Sequence, residues 1–136
     1  MPEQILSFRD LRVYQEAFDL QQVIFQISKT WPLEEKYSLT DQIRRSARSI
    51  GANIAESWAK RKYPSHFVSK LTDADGELQE TSHWLATALA CAYITKNQFA
   101  ELQTHIGCIG KMIGKMMSKP ESFTPKQSSR SLTSDL

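Results

Sequence analysis

Apolar residues return at alternating spacings of three and four along four long segments of the chain. In the first, Val13, Ala17, Leu20, Ile24, Ile27 and Trp31 form the stripe, and Tyr14, Phe18 and Phe25 widen it. The second carries Leu39, Ile43, Ala47, Ile50 and Ile54. The third carries Phe67, Leu71, Ala74, Leu78, Leu85, Leu89 and Ala92, with polar Thr81 in its one gap. The fourth carries Phe99, Leu102, Ile106, Ile109, Ile113 and Met116. Each set falls on one face of a helix, and the average step near 3.5 favours shallow-angle packing. No segment alternates apolar and polar residues long enough to predict a strand.

Boundary signals agree with the stripes. Ser7 before Asp10, Ser38 before Asp41, and Thr95 before Gln98 each place a capping side chain three residues ahead of a reciprocal acceptor. Pro32 ends the first helix, Pro64 opens the third, and Pro120 closes the fourth. The third helix is predicted at about 30 residues, or roughly 45 Å. Short connections make neighbours antiparallel, so the prediction is all-α: an up-down-up-down four-helix bundle over residues 8–118. Residues 1–7 precede it, and 119–136, rich in Ser, Thr and Pro without a stripe, read as a flexible tail.

Composition excludes several classes. With 40% hydrophobic residues and a net charge of +2, the chain is no charge-dominated disordered polymer, and two cysteines make no disulfide scaffold. No run approaches the roughly 18 apolar residues of a spanning helix, so no membrane partner is expected. The N-terminal MPEQILSFRDLRVYQ lacks a signal-peptide pattern, and the two well-separated cysteines, Cys91 and Cys108, point to a reducing cytoplasm. The small net charge conceals blocks: residues 1–37 carry −2, 38–70 carry +5, and 71–94 carry −4. The basic block can pair with the acidic one between subunits, or remain free for a polyanion.

Three strings carry a resemblance: FRDLRVYQEAFDL at 8–20, EKYSLTDQIRRSARSIGANIAES at 35–57, and ADGELQETSHWL from 74. Over about 8–118 the chain resembles the 23S rRNA intervening-sequence protein family, the S23-type four-helix-bundle proteins. The most specific pieces are Gln42-Ile43-Arg44-Arg45-Ser46-Ala47 and Ala52-Asn53-Ile54-Ala55-Glu56. The resemblance implies a small cytoplasmic bacterial bundle that assembles as a homopentamer. It also implies kinship with accessory proteins of diversity-generating retroelements, which bind nucleic acid beside a polymerase. The chain departs from the family at Ser57, where glycine is usual, at Glu77, where serine is expected, and at Thr81, where leucine is expected.

Arg44, Arg45 and Arg48 on the second helix, with Lys60, Arg61 and Lys62 at its end, form the candidate nucleic-acid contact. Clustered cations neutralise phosphates and release counterions. The same block also suits a solvated helix face, its last cations favoured by the helix dipole. Repetition in an oligomer would strengthen a weak site. Asn53 and Glu56 border the stripe. They either touch a ligand or form a structural network, Glu56 with an arginine and Asn53 with backbone; the network is the preferred reading.

No catalytic residue, metal or cofactor is assigned. Glu80-Thr81-Ser82-His83 has the spacing of a di-iron half-site but no second copy. Arg61 and His66 have the Arg-x4-His spacing of helical-bundle ribonucleases, interrupted by Tyr63-Pro64. Gly107, Gly110 and Gly114 suggest either a close subunit contact or a weak helix end. The three tryptophans read as core or interface residues, and the two cysteines as small buried hydrophobes. The sequence therefore supports a non-enzymatic oligomeric module for RNA or DNA. A protein-interaction scaffold, whose partner could be a polymerase, is the alternative, and the ribonuclease a remote one.

Overall fold

The computed structural model describes residues 4–125. Four helices follow one another: α1 (Arg12–Ile27), α2 (Asp41–Ala59), α3 (Pro64–Ala90) and α4 (Lys96–Ser118). Each packs on its sequence neighbour, and α4 returns to α1, closing an up-down bundle. The stripes meet in one core, in which Leu20, Ile24, Ile50, Phe67, Leu78 and Ile109 are fully buried. Several stripe assignments weaken at the edges, Ile27 and Phe99 among them, both half-buried. Phe18 is 42% exposed and Leu89 is only half-buried, because each lies at the rim of its helix's core face.

The capping signals divide. Ser7 and Asp10 do cap, but they cap a 3₁₀ turn (Phe8–Asp10) ahead of α1; Asp10 accepts from the Leu6 and Ser7 backbone at 2.8 and 3.1 Å. Thr95 and Gln98 exchange bonds of 2.9 and 3.0 Å at the start of α4. Ser38 caps nothing. The chain is already helical there, in a wide π turn (Lys36–Thr40) that runs into α2, so Asp41 begins no fresh set of free N–H groups.

α3 has 27 residues, shorter than predicted. It stops because Ala92 takes a left-handed φ of 63°, with Tyr93 N–H donating to the Ala88 carbonyl at 2.8 Å and Ala92 N–H to that of Leu89 at 2.9 Å. This is the hydrogen-bond pattern of a Schellman stop, with alanine where glycine is usual. Ala92 therefore leaves the stripe. Left-handed backbone costs an alanine about 1–2 kcal/mol, and glycine's extra unfolded freedom offsets part of that. Ala92→Gly should raise stability by about 0.5–1 kcal/mol in urea titration; a lowered midpoint would contradict this account of the stop.

The gap at Thr81 is closed by chemistry. Thr81 is fully buried, and its hydroxyl lies 2.9 Å from that of Ser46 on α2 while donating to the Glu77 carbonyl at 2.8 Å. Ser57, also fully buried, donates to the Ile54 carbonyl. Both departures from the family pattern are thus satisfied polar groups.

Antiparallel succession places the α1–α2 and α3–α4 connections at one end of the bundle. There the Tyr93 hydroxyl donates to Glu35 at 2.8 Å, a bond that pushes the tyrosine up to about 12. The α2–α3 turn shares the opposite end with the start of α1 and the finish of α4. Beyond α4 the chain makes a 3₁₀ turn (Pro120–Ser122), and Phe123 stacks on Phe67 with ring centroids 5.5 Å apart. The first part of the expected tail is thus docked on the core; residues 126–136 of that tail lie outside the described residues.

Candidate functional site

The basic block does not form one patch. Arg44 and Lys60 are sixteen residues apart, which at 1.5 Å per residue is about 24 Å along the axis of α2. The first group sits where α2 crosses the end of α1. Phe25, half-buried on α1, carries three cations around its ring: Arg44 at 4.7 Å, Lys29 at 4.8 Å and Arg48 at 5.5 Å from the centroid. Arg44 is held in place, its Nε donating to Ser28 Oγ at 2.9 Å and its Nη2 to the Phe25 carbonyl at 3.4 Å. Among the described residues none of the three forms an ion pair. Beside them an open concavity of about 540 Å³ runs along α2, lined by Asp41, Arg44, Arg45, Arg48, Ser49 and Ala52.

This arrangement has a clear electrostatic character. Three like charges around one ring repel, and the ring's negative face repays only part of that cost. Asp41 is the one carboxylate on the concavity's wall. An anion placed there would relieve the repulsion, and the fixed Arg44 would lose little freedom on meeting it. Two members of this cluster escape a reading of the sequence. Phe25 resembles a stripe residue, and Lys29 stands outside the basic block; the usable signal is their i, i+4 spacing on α1.

Arg45 lines the same concavity but is tied to α3. Its guanidinium bonds Glu80 on α3 at 3.2 Å, and the same carboxylate oxygen accepts from the Trp84 indole at 3.2 Å. Glu56 pairs with Lys70 at 2.8 Å rather than with the expected arginine, because α3 brings the lysine opposite it. The Lys70 hydrogen bond and charge hold Glu56 below the ordinary carboxylate value. Asn53 donates to the Ser49 carbonyl of its own helix at 2.9 Å, the backbone partner expected of it, and no hydrogen bond links it to Glu56 among the described residues. Acidic α3 and basic α2 therefore neutralise each other partly within one chain. Glu77 forms no ion pair among the described residues, and one of its carboxylate oxygens is buried without a hydrogen-bond partner. Burial, helped by Glu80 and Asp73 and opposed by Arg45, raises its pKa above the ordinary value.

The second group occupies the α2–α3 turn. Lys60 and Lys62 are exposed. Arg61 lies over Trp58 at 4.0 Å, and its Nη1 donates to the Trp58 carbonyl at 2.8 Å. Lys62 sits 5.8 Å from the Tyr63 ring, and His66 has its ring 5.5 Å from the same tyrosine. Arg61 and His66 are thus engaged with different aromatics, and no hydrogen bond joins them among the described residues. In the Glu80–His83 pair, the carboxylate is spent on Arg45 and Trp84, while His83 packs edge-on against Trp84 at 4.8 Å.

Elsewhere the cysteine expectation is overturned. Cys91 and Cys108 are both exposed, one in the turn after α3 and the other on the outward face of α4. Elsewhere around α4, a Cβ added at Gly107 or Gly114 would meet nothing within 4 Å. At Gly110 it would touch Leu78 at 3.5 Å. No helix among the described residues is long and apolar enough to cross a membrane.

The model of the 23S rRNA-intervening sequence protein family matches residues 9–115. The fold is similar to a crystal structure of a protein with unknown function from the S23 ribosomal protein family of Bacteroides thetaiotaomicron VPI-5482. The TM-score is 0.69 at 28% identity, covering 78% of this chain and 95% of that one. No curated protein matches significantly.

Proposed function

This chain belongs to the 23S rRNA-intervening sequence protein family, and from that premise we propose that it is a non-enzymatic, cytoplasmic homo-oligomer that binds RNA or DNA through phosphate contacts. The observation that carries the reading is the unpaired trio of Lys29, Arg44 and Arg48 around Phe25. Lys60, Arg61 and Lys62 supply a second cationic point at the far end of α2. Two such points at either end of α2 can engage one polyanion together, so binding should be salt-sensitive and largely indifferent to sequence.

Assembly, with five copies the expected number, is supported by the glycines of α4. Gly107 and Gly114 face open space in the single chain, and each costs about 1 kcal/mol of helix stability relative to alanine. A helix from a second copy, packed close on that face, would account for them. Five copies would also repeat the cationic trio and strengthen a weak site.

A second reading, a scaffold for a protein partner such as a polymerase, is favoured by one feature. Leu33 is 85% and Tyr37 is 73% exposed at the α1–α2 corner. Fluorescence anisotropy against labelled RNA and DNA at two salt concentrations separates the two readings, with solution mass measured in parallel. Binding at low salt that weakens steeply as salt rises is the expected result. No binding at low salt would sink the nucleic-acid reading, and a monomeric mass would sink the assembly.

A further inference from the structure

Two cation–aromatic pairs lie at the α2–α3 turn, and a third precedes α1. Arg61 covers Trp58 at 4.0 Å, Lys62 sits 5.8 Å from Tyr63, and Arg9 covers Phe8 at 4.5 Å just before α1 begins. The turn that carries Phe8 packs on α2 farther along the helix, where Phe8 lines a concavity with Arg48, Gly51, Ala52 and Ala55. Tyr63 is the most open member, 55% exposed, with Pro64 fixing the backbone after it.

A duplex offers such an end only its phosphates, since its bases are already stacked inside. Exposed rings add nothing to that contact. An unpaired base presents two free faces, and every base has a π-face that can lie on a tyrosine ring or a guanidinium plane. Lys60 and Lys62, both exposed on the same turn, supply positive charge for the phosphates of a strand whose base stacks there. The rings are also held before any ligand arrives: Arg61 is tied to the Trp58 carbonyl, and Tyr63 lies against His66. Little side-chain freedom would be lost on binding.

We propose that the α2–α3 turn is a stacking platform for single-stranded polynucleotide, with Tyr63 and the Arg61–Trp58 pair receiving unpaired bases. The inference rests on the nucleic-acid reading above and adds the form of the strand. A strand leaving this platform along α2 would meet the Lys29–Arg44–Arg48 trio about 24 Å away.

The test uses the full chain and fluorescence anisotropy with four probes: short single strands of RNA and of DNA, and duplexes of each at the same length. Tighter binding of single strands than of duplexes is expected, and the RNA and DNA arms show which sugar is preferred. Tyr63→Ala should weaken single-strand binding about 10-fold or more, the size of one lost stacked base, while Tyr63→Phe retains it. Arg61→Lys should weaken the same probes with the salt slope unchanged, since it keeps the charge and loses the plane. Unfolding midpoints check that each variant is folded. Duplexes bound as tightly as single strands, or single-strand binding unaltered in folded Tyr63→Ala, would overturn the platform and leave the nucleic-acid reading standing. Failure to bind any of the four probes would overturn both.

Discussion

Truncating Phe67 to alanine should lower the unfolding free energy by about 3–5 kcal/mol, a large part of the roughly 5–15 kcal/mol that holds a small domain folded. Phe67 is the largest of the fully buried side chains. It sits in the first turn of α3 and is fully buried. Its ring also stacks at 27° on Phe123, a contact worth about 0.5–1.5 kcal/mol beyond the area it buries. Phe123→Ala should therefore cost clearly less than Phe67→Ala. The loss from Phe67→Ala should also shrink when Phe123 is already alanine. Urea unfolding of the two single variants and the double variant measures all three numbers. A loss below about 1 kcal/mol for Phe67→Ala would mean that this end of the bundle is not packed as described.

Phe123 also marks where the sequence ceases to be a guide. The region after Lys119 has no repeating stripe, so a single anchoring ring there is invisible to periodicity. The four helices were legible because core contact forces apolar residues onto one face, and Ile43, Ile50, Leu71, Leu78, Ile109 and Ile113 all sit where the stripes put them. The α3 stop was not legible, because alanine at 92 gives no signal that its backbone turns left-handed. Nor was the π turn before α2, which made Ser38 resemble a cap. Those features follow from tertiary packing, which one sequence does not display.

The candidate site was legible only in part. Charge blocks revealed that α2 is basic and α3 acidic, but not which cations the fold would spend. Arg45 on α2 faces α3 and meets Glu80, and Lys70 on α3 faces α2 and meets Glu56. Arg44 and Arg48 face α1 instead and meet an aromatic ring. Four residues along a helix turn a side chain by roughly 40°, whereas one residue turns it by about 100°. That difference separates Arg48 from Arg45 relative to Arg44.

This division carries the second large expectation. Arg44→Ala combined with Arg48→Ala should weaken RNA and DNA binding by roughly 100-fold, taking about 1.5 kcal/mol for each lost charged contact. The oligomer should survive, because both side chains lie on the α1–α2 face and not on the glycine face of α4. Removing Arg44 also leaves the Ser28 hydroxyl without its guanidinium partner, but that hydroxyl still donates to the Phe25 carbonyl at 3.1 Å. The folding penalty should be small beside the binding loss. Arg45→Ala is the matched comparison: one helix, the same charge removed, and a side chain already tied to Glu80. Its effect on affinity should be clearly smaller. Equal losses for all three arginines would reduce the trio around Phe25 to part of a diffuse basic face.

The most direct measurement of the account's central claim is the slope of binding affinity against salt, for the wild-type chain and for the Arg44→Ala/Arg48→Ala variant. Each phosphate contact contributes about 0.9 to that slope on a logarithmic plot for duplex and about 0.7 for single strands. Loss of both arginines should therefore flatten the slope by about 1.8 or about 1.4 respectively. A variant that keeps the wild-type slope, or a wild-type chain that binds neither RNA nor DNA at low salt, would contradict it.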